Sequence, residues 1–331
     1  MLRSTESWCD GDAMRVLVTG ATGFVGTALV AVLRHRGHDV VAVTRGPASA
    51  TVEGVDYRAV GDIVDAPGWQ PVLQGIDAVV HTAARVHVMK EGSQDAVQAF
   101  RHVNVSATLA LARQAAKAGV RRFVFISSIK VNGEFTLPGR PFRADDEPAP
   151  VDPYGISKLE AEQGLLALSR QCGIDVVIIR PVLIYGPGVK ANFLSMMNWL
   201  FRGIPLPLSA VENRRSLVSL DNLNDLVVTC LDHPAAADQV FLVSDGEDVS
   251  TPDLLRRVAR ALRRPARLVA VPVAWITALA RLMGKEAMAR RLCGSLQVDI
   301  AKNAALLGWK PPVSMDEALA RTAADFLERR S

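Results

Sequence analysis

Residues 15–26 read Arg15-Val-Leu-Val-Thr-Gly20-Ala-Thr-Gly23-Phe-Val-Gly26, and a helical pattern then runs on to Gly37. An apolar run, three glycines at fixed spacing and an apolar period of 3.6 place a sharp turn between a buried strand and a helix. Glycine at such a turn lets the backbone bend and lets a pyrophosphate approach. The helix N-terminus adds unpaired N–H groups and the positive end of its dipole. The junction therefore predicts a parallel α/β sheet holding a dinucleotide, with Gly20, Thr22, Gly23, Phe24, Val25 and Gly26 against the cofactor. A tight turn that binds nothing is the plainer alternative, and the position of the turn weighs against it.

The pattern continues downstream. Apolar strands are predicted over 40–43, 78–81, 123–126 and 176–179, and helices over 24–36, about 104–118 and 152–171, the last two closing at Gly119 and Gly173. Strand and helix alternate, so residues 15–180 are expected to form a doubly wound, mostly parallel Rossmann domain. Beyond Arg180-Pro181 prolines and glycines cluster and the alternation ends. Residues 181–331 are expected mainly as a smaller substrate lobe, able to lend a strand back to the sheet. Residues 1–14 read as a frayed extension.

Dinucleotide folds that prefer NAD place an acid at the end of the second strand, where it holds the ribose 2′-hydroxyl. Here that strand ends Val43-Thr44-Arg45, with no carboxylate to repel a 2′-phosphate and an arginine able to pair with one. NADP(H) is the favoured expectation and NAD(H) the alternative. Asp62 and Ile63 are placed at the adenine, and Thr82, Ala83 and Ala84 along the pyrophosphate. Asn104 is placed at the head of a helix, as a cofactor contact or a cap.

Asp152-Pro153-Tyr154-Gly-Ile-Ser-Lys158 opens a helix with an acidic N-cap and proline in its first turn. Tyr154 and Lys158, four apart, share one helical face. A phenol titrates near 10, and bringing it to neutrality takes roughly 4 kcal/mol of differential stabilisation, which a neighbouring ammonium and a cationic nicotinamide can supply. Ser128, at the end of the preceding strand, is positioned to donate to the same substrate oxygen. On an ordinary helix a Tyr-x-x-x-Lys pair is surface decoration; with the serine and the glycine turn upstream, the catalytic reading is stronger.

Gly20-x-x-Gly23-x-x-Gly26, His81-Thr-Ala-Ala84, Ser128, Tyr154-x-x-x-Lys158 and Arg180-Pro181 with Tyr185-Gly-Pro-Gly188 occur in this order. In them the chain resembles the extended short-chain dehydrogenase/reductases, which include UDP-glucose 4-epimerase. The resemblance implies a catalytic Ser128, Tyr154 and Lys158, a cofactor contact at Pro181, and a second lobe gripping a UDP-sugar. Asn192, Phe193, Arg215 and Arg291 are the implied substrate contacts. Arginine suits the diphosphate because its planar fork pairs with phosphate oxygens and stays charged.

Residues 190–193, 213–218 and 292–299 also resemble a bacterial subgroup that reduces a UDP-linked 4-keto-6-deoxy-N-acetylhexosamine to UDP-N-acetylquinovosamine for surface polysaccharide. Ile129-Lys130 stands where 4,6-dehydratases carry Asp-Glu, which disfavours dehydration. The resemblance therefore implies reduction at sugar C4 first and 4-epimerisation with tightly held NAD second. A non-catalytic NAD(P)-binding sensor ranks below both, because all three catalytic positions are intact. By analogy with relatives that pair helices, a homodimer is expected.

Composition narrows the surroundings. Hydrophobic residues make up 49% and charged residues 22% of 331, enough for a sizeable core and against disorder. The net charge of +4 reads as spread along the chain, without the concentrated patch of a nucleic-acid binder. Cys9, Cys172, Cys230 and Cys293 lie too far apart for a zinc framework or disulfide scaffold, which fits a reducing cytoplasm. No metal site is expected. The apolar stretch 269–283 is too short to span a membrane and is expected as a buried helix, with interfacial contact the lesser alternative, so no stable membrane insertion is foreseen. Six arginines over 256–267 read as a solvated helix face with some partners on the protein, ahead of contact with membrane lipid or nucleic acid.

Overall fold

The computed structural model describes residues 13–48, 51–64, 68–86, 93–284 and 286–330. Ten strands are formed among the described residues: β1 (Arg15–Thr19), β2 (Asp39–Thr44), β3 (Asp56–Ala59), β4 (Ala78–His81), β5 (Arg122–Ile126), β6 (Asp175–Pro181), β7 (Leu183–Tyr185), β8 (Arg215–Ser219), β9 (Gln239–Val243) and β10 (Asp248–Val249). Seven make one sheet in the order β3-β2-β1-β4-β5-β6-β9, and every pairing in it is parallel.

An all-parallel sheet needs cover on both faces, and its strands read as apolar runs because alternate side chains enter opposite layers. Val16 and Val18 of β1 enter one layer with Leu29, Val30 and Leu33 of the helix Phe24–His35 and with the helix Leu220–Asp232. Leu17 enters the other, with Leu111 and Ala115 of Thr108–Lys117 and Leu165 and Leu168 of Pro153–Cys172. Crossovers thus leave β1 and β4 toward opposite faces, which opens a crevice at the carboxyl ends of those strands.

β3, invisible as an apolar run, carries Asp56, Tyr57 and Arg58 on the sheet edge. The helix expected from 104 begins earlier, at Ser93, and passes through a π-helical stretch, His102–Ala107, before continuing as Thr108–Lys117. β9 comes from beyond residue 181 and pairs with β6, Pro181 opposite Val243. The other later elements gather round a third core, in which helices Ala191–Phe201, Thr251–Ala261 and Met315–Glu328 pack together. A small sheet, β10-β8-β7, lies among them.

Two expectations meet a different outcome near the ends. Of the 1–14 extension, residues 1–12 and with them Cys9 lie outside the described residues, whereas Met14 is buried and its carbonyl accepts from the Asp39 N–H at 2.9 Å. The stretch 269–283 does contain a helix, Val273–Leu282, but none of its residues is buried. Burial failed because the lobe core takes up only Val273 and Ile276 from it.

Candidate active site

The glycine turn behaves as a fitted cradle. Gly20 sits at φ +67°, and a Cβ there would lie 2.8 Å from the backbone nitrogen of Ala83 and from Oγ1 of Thr82. A Cβ on Gly26 would lie 2.2 Å from the Gly20 carbonyl oxygen, so that helix can seat on the turn only with glycine. The helix Phe24–His35 has Gly23 as N-cap, no side-chain cap and no acid in its first turn. Its leading N–H groups have been left for an anion, which suits a dinucleotide pyrophosphate.

The neighbouring loop closes the cradle. The Thr82 hydroxyl donates to the Thr19 carbonyl at 2.7 Å, and the Ala83 N–H reaches Thr19 Oγ1 at 3.5 Å. His81, buried at the end of β4, bonds Thr19 at 2.7 Å and Thr108 at 2.9 Å; burial, with Lys158 assisting, lowers its pKa to about 3. The imidazole is therefore a neutral strut.

Asn104 is no helix cap. It is buried in the π-helical stretch, where Oδ1 accepts from the Arg85 N–H at 2.9 Å while Nδ2 donates to the Arg85 carbonyl at 3.1 Å and Ser157 Oγ at 3.0 Å. Both amide protons are used, so this side chain ties the loop after β4 to the helix of Tyr154 and Lys158 instead of facing a cofactor. Thr44 closes β2 with its hydroxyl on the Gly46 carbonyl at 2.7 Å, and Arg45 beyond it is exposed. Asp62 is exposed and caps the Val64 N–H at 3.1 Å; Ile63 packs on the sheet core.

Asp152 caps the helix Pro153–Cys172 through Gly155 N–H at 2.7 Å, and Gly173 ends it at φ +74°. Ser128 lies near enough to Tyr154 to pull its phenol down, and itself caps the short turn Ile129–Val131. Lys158 is buried, its Nζ donating to the Ile126 carbonyl at 2.8 Å and lying 4.3 Å over the Phe125 ring and 6.0 Å from the centre of the Tyr154 ring.

Here the expected electrostatics are corrected. Burial and then the Asp152 carboxylate push the Tyr154 phenol up to about 12, with Ser128 pulling the other way. Burial brings Lys158 down to about 7, against the attraction of Glu162. Desolvation is the largest cause for both groups, and the one hydrogen bond the amine is seen to make goes to the Ile126 backbone carbonyl.

Other buried and ion-paired groups that bind this arrangement had been given no role from sequence. Glu162, 2% exposed, takes the Ser127 hydroxyl and a forked contact from Arg180, whose Nη2 donates at 2.6 Å and whose Nη1 reaches Asn132 Oδ1 at 3.0 Å. Glu162 lies one helical turn beyond Lys158, and i+4 spacing was the available signal. Lys130 Nζ contacts Asp152 and approaches Glu134 at 3.7 Å.

In the second lobe Arg215 Nη1 donates to the carbonyls of Arg291 at 2.7 Å and Gly294 at 3.1 Å. Its pKa is lowered by burial and then by the Arg291 charge, so the two cations do come together. No carboxylate pairs with Arg215 among the described residues, an arrangement that fits an absent polyanion. Asn192 is exposed in the first turn of its helix, whereas the Phe193 ring is buried and stacks on Tyr185 at 5.5 Å. The Phe193 side chain is thus lobe core, because only aromatic packing fills that space. Residues 133–142 join the halves: Thr136 N–H bonds the Ser295 carbonyl and Phe142 N–H the Gln297 carbonyl, both at 2.9 Å.

A glycine cradle, an uncapped helix end and a Ser-Tyr-Lys set at the carboxyl edge of one parallel sheet match a known lineage. Residues 16–244 match the model of the NAD dependent epimerase/dehydratase family. The chain belongs to that family. It is 48% identical over 324 residues to a UDP-glucose 4-epimerase of Vibrio cholerae, covering 97% of this chain and 98% of the relative. Among solved structures, UDP-glucuronic acid 4-epimerase from Bacillus cereus in complex with NAD superposes with a TM-score of 0.76 at 22% identity, over 95% and 97% of the two chains. MoeE5 in complex with UDP-glucose and NAD gives 0.74 at 25% identity over 96% and 100%. Both structures of these epimerase/dehydratase relatives carry NAD, and the NADP preference read from Thr44-Arg45 finds no support in them.

Proposed function

We propose that this epimerase/dehydratase-family enzyme is an NAD-dependent UDP-sugar 4-epimerase, which oxidises C4 of a UDP-hexose and reduces it again from the other face. The observation that carries the reading is the Ser128–Tyr154 pair on the edge that holds the glycine cradle, with two arginines clustered in the second lobe. The full-length kinship to a relative of that activity supports the choice of reaction.

Gly20, Gly23, Gly26, Thr82 and Ala83 would hold the dinucleotide, and Arg215 with Arg291 the sugar nucleotide's diphosphate. When bound, the nicotinamide accepts and returns the hydride and, while oxidised, places positive charge beside the phenol. Tyr154 takes the proton of the 4-hydroxyl as the C4–H bond breaks, and gives it back to the 4-oxygen on return. Ser128 holds that oxygen throughout. Lys158 keeps a cation at the base of the site, and its burial makes the charge responsive to pH.

A second reading, reduction of a UDP-4-keto-6-deoxy-N-acetylhexosamine by NADPH, draws on two observations. No acid follows β2, and a phenol held protonated is already the acid that ketone reduction needs. The deciding experiment supplies purified enzyme with UDP-glucose or UDP-N-acetylglucosamine and catalytic NAD, and follows the C4 epimer by NMR. Turnover that vanishes in Tyr154→Phe while NAD still binds is expected. No epimer, but NADPH consumption with the 4-keto substrate, would replace the first reading with the second.

A further inference from the structure

The helix Val273–Leu282 points its larger apolar side chains away from the protein. Trp275, Leu279, Leu282 and the following Met283 are 70, 59, 86 and 57% exposed. Their spacing of i, i+4, i+7 and i+8 puts them on one stripe, while Val273 and Ile276 of the same helix pack on the lobe core. No helix among the described residues is long and apolar enough to cross a membrane.

In the sequence flanking this helix the charge is concentrated rather than spread. Of 38 basic and 34 acidic residues, ten basic and one acidic fall between 256 and 291, so the rest of the chain is net negative. Arg256, Arg260, Arg263, Arg267, Arg281 and Arg290 are exposed. The helix Glu286–Cys293, which carries Arg290, packs on Val273–Leu282.

We propose that this face binds the surface of an anionic phospholipid bilayer, with the Trp275–Met283 stripe in the acyl boundary and the arginines among the headgroups. An outward apolar stripe with tryptophan and a basic surround is the composition of an interfacial helix. A second copy fits less well. The four side chains offer roughly 500 Å², below the about 800 Å² each partner of a stable pair buries, and pairing would bring like charges together.

The test sediments the full-length protein with vesicles of phosphatidylcholine alone or doped with phosphatidylglycerol. Binding to the doped vesicles should exceed that to the neutral ones roughly tenfold and weaken with salt. The exposed-site variant Leu279→Glu/Leu282→Glu should lose it while keeping turnover in solution, and Arg263→Glu/Arg267→Glu should lose the anionic preference. Equal binding to both vesicles, unchanged sedimentation of the leucine variant, or a wild-type oligomer that falls apart in that variant without any vesicle binding would each overturn the proposal.

Discussion

At Tyr154 a carboxylate and the ammonium beside it compete. The Asp152 that caps the helix also raises the phenol, and Lys130 sits against that carboxylate. Lys130→Ala should therefore expose Tyr154 to an uncompensated negative charge. The expected outcome is a rising limb of kcat for substrate oxidation displaced to higher pH, with NAD affinity unchanged, read from pH–rate profiles. Lys158 makes a separate prediction about stability. Unfolded, its amine holds a proton up to 10.5, whereas in the fold it releases it near 7. Between those values the unfolded chain binds more protons, so this residue's contribution makes the cofactor-free protein more stable as pH rises from 7 toward 10. Lys158→Met should flatten that rise in urea midpoints measured at pH 7 and 9. Beneath both, Glu162→Gln leaves the Arg180 guanidinium buried without its counter-charge, and a loss of about 3–5 kcal/mol of stability is expected from denaturant titration.

At the scale of elements, the turn after β1 and the helix Pro153–Cys172 hold the site. Gly26→Ala drives a methyl into the Gly20 carbonyl, so the turn must open; calorimetric titration should show NAD affinity falling at least about tenfold while the fold persists. These two elements were legible in sequence because local rules write them: glycines where backbone must touch backbone, Asp-Pro at a helix start, glycine at its end. Ser128 was legible by order along the chain. What could not be read depends on contacts distant in sequence. Asn104 meets Ser157 across 53 positions, and nothing near Asn104 announces the π-helical stretch that turns it inward. Spacing likewise says which side chains share a face but not that the Lys158 amine will choose the Ile126 carbonyl. Phe193 and the outward helix Val273–Leu282 show the same limit: apolar letters do not reveal whether a core has room for them.

Across the whole molecule, β9 and residues 133–142 stitch the two halves. β9 crosses back to pair with β6, Arg122 donates to the carbonyls of Cys230 and His233 at 2.8 and 2.9 Å, and Arg36 Nη2 reaches Asp225 Oδ1 at 2.9 Å. The lobe cannot melt away while the sheet stays whole, so urea unfolding followed by near-ultraviolet dichroism and by tryptophan fluorescence should give coincident single transitions. One rod-like helix carries Tyr154, Lys158 and Glu162, and through Glu162 it also steadies the turn at Ser127. The side chains proposed to move protons are therefore spaced by a single rigid ruler, whereas Arg215 and Arg291 stand on a strand and a separate helix in the other half. Selection can reshape what is held at the far wall and leave the distances of the reaction untouched, which is how one chemistry comes to serve many sugars.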